Sequence, residues 1–522
     1  MNWAERLDGV LMSSQELERF LGRMAAAGIS PEDYRRVETL CQVVATLGKD
    51  NLNKLKQVLF GRKSETTDKV CGAATSESEP LPPPQRRAKK GHGRNPACRY
   101  RGARWIPVSH PSMRNGDICP KCQKGRVRKQ RTVAVVMRIV GSPPVSATAW
   151  AREKLRCDTC GEVFTAPTPP EAGDVKYDPS VAVTVALLRY GTGMPHYRLA
   201  RLQQSLGVPL PESTQWELML PLAEAGLLVL AQLSRLAAQS PLFYNDDTSM
   251  RVLELRRPGS ATAPQIDPKR KGTFTTGIIA QVGQYPVALF MTGWQHAGEN
   301  LAAVLQHRAA ELEPPIQMCD ALSRNTCGDF ASTLANCMSH GRREFVGLAA
   351  AFPEEVRHVL EEIREIYRVD AKAKELDLTA AQRLAFHQTH SQAVMERLHL
   401  WMKEQLEHKK IEPNSGLGQA INYMLKHWEP LTLFLRKEGA PLDNNICERA
   451  LKMAILHRKN SLSYKTANGA RIGDMFMSLI QTCRYNQVNT FAYLMALATH
   501  PEEVRADPAA WLPWNYPKVD SG

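Results

Sequence analysis

The chain has 522 residues, of which 43% are hydrophobic and 23% are charged, with a net charge of +14 at pH 7. This length exceeds one compact core, since single domains usually have about 100–200 residues, and the composition excludes a disordered or fibrous chain. No apolar run is expected to approach the roughly 20 residues that span a bilayer, and the start MNWAERLDGV lacks the pattern of an export signal. We therefore expect a cytoplasmic protein of several domains, without a membrane partner.

The first 97 residues contain two predicted segments. Residues 1–66 have apolar positions at helical spacing, which predicts a helical region used for oligomerisation or DNA binding, or a helical hairpin that packs on the body. Residues 67–97 are rich in Ser, Pro and basic residues, and this composition is typical of a linker.

The positive charge is concentrated in one stretch. Residues 86–131 carry fifteen Lys or Arg and one acidic residue, so their net charge equals that of the whole chain. Such a stretch attracts polyanions, because neutralised phosphates release their counterions. Both DNA contact and a solvated basic linker fit residues 86–97.

Two C-x-x-C pairs lie in a predicted β-rich domain, residues 98–168. Cys119 and Cys122 form the first pair, and Cys157 and Cys160 form the second. Four thiolates suit one tetrahedral Zn²⁺, and such a site is structural because it leaves no open coordination position. The alternative is two unrelated buried pairs. Basic residues near the first pair are predicted to contact DNA: Lys121, Lys124, Arg126 and Arg128.

A helical domain is predicted for residues 169–240. The segment HYRLARLQQSLGVPLPESTQWELML indicates a helix, a turn containing Gly207 and Pro209, and a second helix. This order fits a DNA-reading helix-turn-helix, although any two packed helices produce it.

From residue 241 the hydrophobic period becomes that of β-strands. The runs 241–256, 271–283 and 285–295 are β-branched and aromatic and are separated by turn residues, which predicts consecutive antiparallel strands. A helix and a further strand, PIQMCD (315–320), follow. The remaining predicted domains are a first core segment (241–345), a helical segment (346–437), a last core segment (438–500) and a C-terminal tail (501–522).

Three acidic residues stand where metal-dependent phosphodiester chemistry would place them. Asp246 lies in the first predicted strand, Asp320 ends the strand PIQMCD, and Glu448 is in the first turn of a helix that Asp443-Asn444-Asn445 would cap. Two divalent ions held by carboxylates can activate an attacking oxygen and stabilise a leaving oxygen.

Each acid also has a simpler interpretation. Asp246 or Asp247 could form a turn, and Asp320 could cap the segment that follows it. Glu448 could pair with Lys452, four residues later on the same helix.

Basic residues follow Asp320 and Glu448 in the sequence. Such residues can clamp the phosphates of a scissile strand, although solvated surface positions and, for the histidine, a packing role fit equally well. The residues predicted to contact DNA here are His340, Arg342, Arg343, Arg458 and Lys459.

Nearly the whole chain resembles the transposases of the insertion-sequence-sixty-six family (TnpC type), which are Asp-Asp-Glu transposases with a ribonuclease H-like core. The resemblance is carried by LKQVLFGRKSE (55–65), KKGHGR (89–94), both C-x-x-C pairs, GMPHYRLARLQQSLGV (193–208), DDT (246–248), IQMCD (316–320), CMSHGRREF (337–345), LDNNICERAL (442–451) and HRKNSL (457–462).

The resemblance implies a multidomain α+β fold. A ribonuclease H-like α/β core would carry an all-α insertion, a zinc-binding β-rich module and a helical N-terminal region. Asp246, Asp320 and Glu448 would be the catalytic acids and would bind two Mg²⁺ or Mn²⁺ ions, while one structural Zn²⁺ would occupy the four cysteines.

The sequence departs from the family pattern at three places. Asp246-Asp247-Thr248 stands where Asp-Glu-Thr is more frequent, which leaves the metal-binding aspartate open, although the register favours Asp246. Met338 and Ser339 replace Trp-Ala before the histidine, and Ile446-Cys447 replace two small residues before Glu448.

The resemblance implies a DNA transposase. It would hydrolyse one strand at each end of an insertion sequence, and the freed 3′-hydroxyl would attack target DNA. Its partners would be double-stranded DNA, further copies of the chain on that DNA, and accessory proteins of the same element. Two alternatives are a site-specific nuclease with the same core and a zinc-dependent DNA-binding regulator with an inert core.

Overall fold

A computed structural model of the chain describes Thr67, Val70, Val108, Arg270 and the ranges 111–128, 142–156, 163–256, 272–328 and 330–516. The predicted N-terminal helices (1–66), most of the predicted linker (67–97), the β-forming run 132–140 and the second cysteine pair lie outside the described residues.

The chain divides into two compact units. The first contains Met1–Ser76, Gly341–Ala371 and Ala393–Leu425, and the second contains the rest of the chain. The domain boundaries derived from the sequence stay predictions, including those of the insertion at 346–437.

A small two-stranded sheet precedes the main fold of the second unit. β1 (Lys154–Arg156) pairs antiparallel with β2 (Val163–Thr165), with Leu155 opposite Phe164. The two strands therefore flank the segment that contains Cys157 and Cys160.

Helices then lead into the main sheet. They are α1 (Pro179–Ala186), a π-helical turn (Leu187–Gly191), α2 (His196–Ser205) and α3 (Glu212–Ala238). Asp178 caps α1, since its carboxylate accepts the N–H of Ser180 at 2.9 Å. The predicted helix–turn–helix order is confirmed at α2 and α3, and Gly207 adopts a φ of +76° in the turn.

Among the described residues, α3 alone is long and apolar enough to cross a membrane by length and composition, so the expectation that no run approaches that length was wrong. One face of this helix nevertheless belongs to the core: Met219, Leu222, Val229 and Leu233 are at most 2% exposed. We therefore assign α3 to the protein interior, where it packs against the sheet and a later helix.

The central element is a five-stranded mixed sheet with the order β5-β4-β3-β6-β7. Its strands are β3 (Leu242–Ser249), β4 (Phe274–Val282), β5 (Tyr285–Gly293), β6 (Ile316–Cys319) and β7 (Thr333–Asn336). β3, β4 and β5 pair antiparallel, as the sequence predicts, while β6 and β7 run parallel to β3. The mixed α/β character agrees with the predicted α+β class.

Further helices complete the fold. They are α4 (Ala297–Leu305), α5 (Met338–Val346), α6 (Pro353–Glu375), α7 (Ala380–His390), α8 (Gln392–Glu407), α9 (Gly416–Lys426), α10 (Trp428–Leu431), α11 (Asn445–Ser461), α12 (Ala467–Tyr485), α13 (Thr490–Thr499) and α14 (Pro501–Ala506).

Helix α12 covers the edge strand β5. Asp474, Ser478 and Thr482 of α12 accept the backbone N–H groups of Thr292, Phe290 and Ala288 at 2.7, 2.9 and 3.0 Å. These acceptors lie four residues apart, one per helical turn, and meet every second residue of the strand. They satisfy donors that would otherwise be a template for pairing with another chain.

The described part of the first unit has its own apolar contacts. Val356, Leu360 and Ile363 of α6 are fully buried, as are Leu398 and Met402 of α8. Their spacing of three or four residues is that of one buried helix face.

Candidate metal centre

Two of the predicted acids lie side by side where the central parallel strands end. Leu242 of β3 is paired with Ile316 of β6, and Tyr244 is paired with Met318. The same register, continued by two residues, brings Asp246 level with Asp320, which follows β6 directly. Residues level with each other project to the same face, about one strand spacing of roughly 4.8 Å apart.

Helix α11 brings the third acid to this face. Gly277 on β4 is paired with Asp246, and a Cβ at Gly277 would lie 3.1 Å from Leu451 Cγ and 3.4 Å from Cys447 Sγ. The absence of a side chain at position 277 therefore lets the helix lie this close to the sheet. Cys447 Sγ donates to Gly277 O at 3.2 Å, and Glu448 is the next residue.

The surroundings of Asp246 favour its neutral form. Burial raises the pKa of Asp246 to about 7, and the negative charges of Asp320, Asp247 and Glu448 add to the effect, against a lowering hydrogen bond from the N–H of Asp247. Ionised carboxylates gathered in this way repel each other, and a divalent cation offsets that repulsion. Three carboxylates from separate elements also match the oxygen ligands that Mg²⁺ and Mn²⁺ prefer.

Asp247 has a different environment from Asp246. Its carboxylate is 2.8 Å from His296 Nδ1 and 3.5 Å from Arg324 Nη2, and its side chain is 2% exposed. Neighbouring positions of a strand project to opposite faces. Of the two aspartates, Asp246 is therefore the one directed towards the other acids.

Buried amides connect the elements that carry the acids. Asn245 Nδ2 donates to Asn325 O at 2.7 Å, and Gln317 Nε2 donates to Asn245 Oδ1 at 3.0 Å. Asn444 Nδ2 donates to Asn245 O at 3.0 Å. These four side chains are completely buried, so the network fixes β3, β6 and the start of α11 relative to one another.

Asp320 also performs the local role that was its alternative interpretation. Its Oδ1 accepts the N–H of Leu322 at 3.2 Å and a hydrogen bond from Asn325 Nδ2. Both contacts use one carboxylate oxygen, so they orient the group. At the start of α11 the N-cap residue is Asn444, which makes no side-chain capping hydrogen bond, while Asp443 Oδ1 accepts the N–H of Asn445 at 3.1 Å.

Glu448 has two further neighbours with ligand atoms. His340 Nδ1 lies 3.6 Å from Glu448 Oε1. Cys337 Sγ, a ring nitrogen of His340 and a carboxylate oxygen of Glu448 all lie within 4.8 Å of one another. His340, predicted from the sequence to contact DNA, therefore lies beside an acid.

The first cysteine pair lies in a tight turn. The N–H of Gln123 donates to Cys119 O at 2.8 Å, and the N–H of Cys119 donates to Gly125 O at 2.7 Å. Hydrogen bonds from the backbone of Gly125 and Lys124 lower the pKa of the Cys122 thiol. Such bonds favour the thiolate that zinc requires.

The predicted DNA-binding residues have varied surroundings. Lys121, Lys124, Arg126, Arg128, Arg343 and Lys459 are exposed, and Arg342 is half-buried. Arg458 is held by the sheet, since its Nη1 donates to Ser249 O at 2.6 Å and to Thr248 Oγ1 at 3.0 Å. It therefore joins α11 to the end of β3.

Sequence reasoning missed two features of this site. The amide network was not predicted, although Asn245 and Gln317 are polar residues inside apolar strands and so give a signal. The neighbourhood of Cys337 and Glu448 was also missed, although Cys337-x-x-His340 has the spacing of metal ligands at a helix start.

Comparison with known proteins places this chain among DNA-processing enzymes. Residues 174–472 match the family described as "Transposase IS66 family". This range is more than half of the chain and contains all three acids. The chain belongs to the IS66 family of transposases, as the sequence resemblance indicated, and members of this family are typically metal-dependent.

Curated relatives come from Sinorhizobium fredii (strain NBRC 101917 / NGR234). The protein named Uncharacterized protein y4jD is 24% identical over 508 residues, 89% of this chain and 92% of its own. Uncharacterized protein y4hP is 24% identical over 394 residues, 71% of this chain and 68% of its own. Uncharacterized protein y4qI is 30% identical over 187 residues, 35% of this chain and 34% of its own. No solved structure gives a significant match.

Proposed function

We propose that the protein cleaves the ends of an insertion sequence at the carboxylate site and joins the 3′ ends to target DNA. The observation that carries the proposal is the convergence of Asp246, Asp320 and Glu448 on one sheet face, expressed in the raised pKa of Asp246. The sheet order β5-β4-β3-β6-β7, with three antiparallel and two parallel strands, supports a ribonuclease H-like core.

The three acids fit a pair of hard cations. Asp246, Asp320 and Glu448 would hold two Mg²⁺ or Mn²⁺ ions, which when bound polarise the attacking and leaving oxygens of a phosphodiester. The protein supplies the rest: a fixed arrangement of ligands, set by the amide network, and a face of the sheet closed on one side by α11.

The residues around the acids have positioning roles. Asn325 orients the Asp320 carboxylate through Oδ1, and Asn444 ties the start of α11 to β3. Arg458 secures the same helix further along, at the end of β3. Ligands held by such contacts pay little reorganisation energy during reaction.

The cysteine pairs and the basic residues serve DNA binding in this proposal. The turn at Cys119 and Cys122 presents Lys121 and Lys124 to solvent, where they can neutralise phosphates. One structural Zn²⁺ on the four cysteines would stabilise this module, and the assembly on DNA would contain more than one chain.

A strand-transfer assay tests the proposal. Full-length protein is incubated with Mg²⁺, labelled DNA carrying the element's own ends, and an unlabelled target plasmid. We expect nicked ends and labelled plasmid with the parent protein, and a loss of both by at least about 100-fold with Glu448→Gln, since an electrostatic group at the reacting centre is removed.

The other outcomes separate the two alternatives. Cleavage without labelled plasmid would identify a nuclease instead. End binding without any metal-dependent cleavage would identify a DNA-binding regulator. If Glu448→Gln cleaved DNA at the parent rate, Glu448 would not be part of the catalytic site.

A further inference from the structure

The strongest unassigned feature is the group formed by Cys337, His340 and Glu448. One ligand atom from each residue lies within 4.8 Å of the other two. Cys337 is 1% exposed, while the side chains of His340 and Glu448 are 26% and 25% exposed. A soft thiol, an imidazole and a carboxylate thus lie close together, with the thiol buried and the other two groups partly exposed.

The helix ends and a backbone N–H near this group favour negative charge on the Cys337 and Glu448 side chains. Cys337 directly precedes α5, and Glu448 is in the first turn of α11, so both lie at the positive end of a helix dipole. Cys337 Sγ also accepts the N–H of Asn444 at 3.2 Å. Burial raises the pKa of the Cys337 thiol to about 11, against the lowering effect of this hydrogen bond. A metal ion would bind the sulfur in place of the proton.

The donor set differs in kind from that of the three acids. Sulfur, nitrogen and oxygen ligands suit Zn²⁺ and related transition metals, whereas Mg²⁺ prefers oxygen alone. Three protein ligands would leave one position of a tetrahedral ion open. The C-x-x-H spacing places two of the ligands on one helix start, and the third comes from another helix.

We propose that Cys337, His340 and Glu448 bind one zinc-class divalent cation, at a site separate from the four C-x-x-C cysteines. Because Glu448 belongs to this group and to the three acids, a zinc ion here competes with the hard cations for one carboxylate. Zinc would therefore act as an inhibitor of magnesium-dependent cleavage. The binding itself does not depend on the proposed function.

Cobalt binding tests this site directly. The full-length chain first receives one equivalent of Zn²⁺ for the C-x-x-C cysteines and is then titrated with Co²⁺, while thiolate-to-cobalt charge-transfer absorption is recorded. We expect one further equivalent with this absorption. Cys337→Ser should lose the absorption, and His340→Ala should weaken binding by at least about ten-fold.

The controls keep the result specific. Cys327→Ser should bind cobalt like the parent, because Cys327 is a buried thiol outside the group whose contacts to Phe330 O and Ser332 Oγ a serine hydroxyl can keep. Asp246→Asn should also bind cobalt, whatever its cleavage activity, which separates this site from the proposed function.

Two results would overturn the proposal. One is the absence of thiolate-to-cobalt absorption when the chain that carries one equivalent of Zn²⁺ is titrated with Co²⁺. The other is charge-transfer absorption that is unchanged in Cys337→Ser. If Cys337→Ser does not fold, His340→Ala decides, and parent-like cobalt affinity in that variant overturns the site.

Discussion

At the scale of single residues, Asp246 and Asp247 are adjacent but have different partners. The Asp247 carboxylate is bound by His296 and Arg324, whereas the pKa of Asp246 is raised by burial and by the other acids. The sequence left the choice between them open, because alternation along a strand says which residues share a face but not which face holds the site.

Replacing each aspartate separately tests this assignment. Asp246→Asn should lower metal-dependent cleavage by at least about 100-fold, since it removes a ligand at the reacting centre. Asp247→Asn should keep cleavage within about ten-fold but lower the free energy of unfolding by about 1–3 kcal/mol, because a neutral amide replaces a buried carboxylate that contacts His296 and Arg324. The measurements are single-turnover cleavage and urea unfolding, and the reverse pattern would assign the metal to Asp247.

His457 is a second residue with an unusual environment. It is completely buried, and its ring lies 4.5 Å from that of Tyr464 and 6.3 Å from that of Tyr190. Neither ring nitrogen has a hydrogen-bond partner among the described residues. Burial, with the charges of Arg189 and His196, lowers the pKa of His457 from 6.5 to about 3.

This lowered pKa predicts acid sensitivity. The unfolded chain binds a proton at His457 below about pH 6.5, and the folded chain does so only near pH 3, so stability is complete above pH 6.5 and falls as the pH is lowered. The loss is up to about 1.4 kcal/mol per pH unit. His457→Phe keeps the stacking and should reduce this slope in urea unfolding at pH 5 and 7, and equal slopes in both proteins would contradict the prediction.

At the scale of elements, the close packing of α11 against β4 sets the position of Glu448. Gly277 is the residue that permits this approach. Gly277→Ala should displace α11 by a few tenths of an ångström and cost about 1–3 kcal/mol of stability. The cleavage rate should also fall, by up to about 100-fold, under conditions in which the variant is fully folded, since small misplacements at a reacting centre slow the reaction.

A matched glycine provides the control. A Cβ at Gly191 would meet no atom closer than 3.5 Å, at Arg484 Nη2. Gly191→Ala should therefore leave cleavage within about two-fold of the parent. Equal cleavage rates for Gly277→Ala and Gly191→Ala, at saturating metal and DNA, would show that the packing of α11 against β4 does not affect cleavage.

The elements differ in how well the sequence predicted them. β3, β4 and β5 were predicted because these strands are eight or nine residues long, contain β-branched and aromatic residues, and are separated by turn residues. β7 was missed, since its four residues TLAN carry no clear pattern. α3 was recognised as helical, but its apolar length was underestimated because Glu217 and Glu224 interrupt the run.

Local sequence patterns predicted the elements on which the three acids lie. The elements of Asp246, Asp320 and Glu448 follow from strand and capping patterns. The contacts that hold them do not, because the partners are far apart in the chain: Asn444 and Asn245 are 199 residues apart, and Asn245 and Asn325 are 80 apart. Local periodicity contains no information about such pairs.

At the scale of the whole molecule, charge and carboxylates occupy different segments. The net positive charge lies within residues 86–131, while the three acids lie on elements between residues 242 and 461. The proposed function thus assigns DNA attraction and chemistry to separate regions. The clustering of the three acids is the claim on which this assignment depends.

The most direct test of that clustering is Mn²⁺ binding to the full-length chain that carries one equivalent of Zn²⁺ for the C-x-x-C cysteines and no excess, measured by the paramagnetic resonance of free Mn²⁺. We predict two ions per chain for the parent and a loss of affinity of at least about ten-fold in each of Asp246→Asn, Asp320→Asn and Glu448→Gln. Parent-like binding by any one of these three variants would show that the acids do not share their cations.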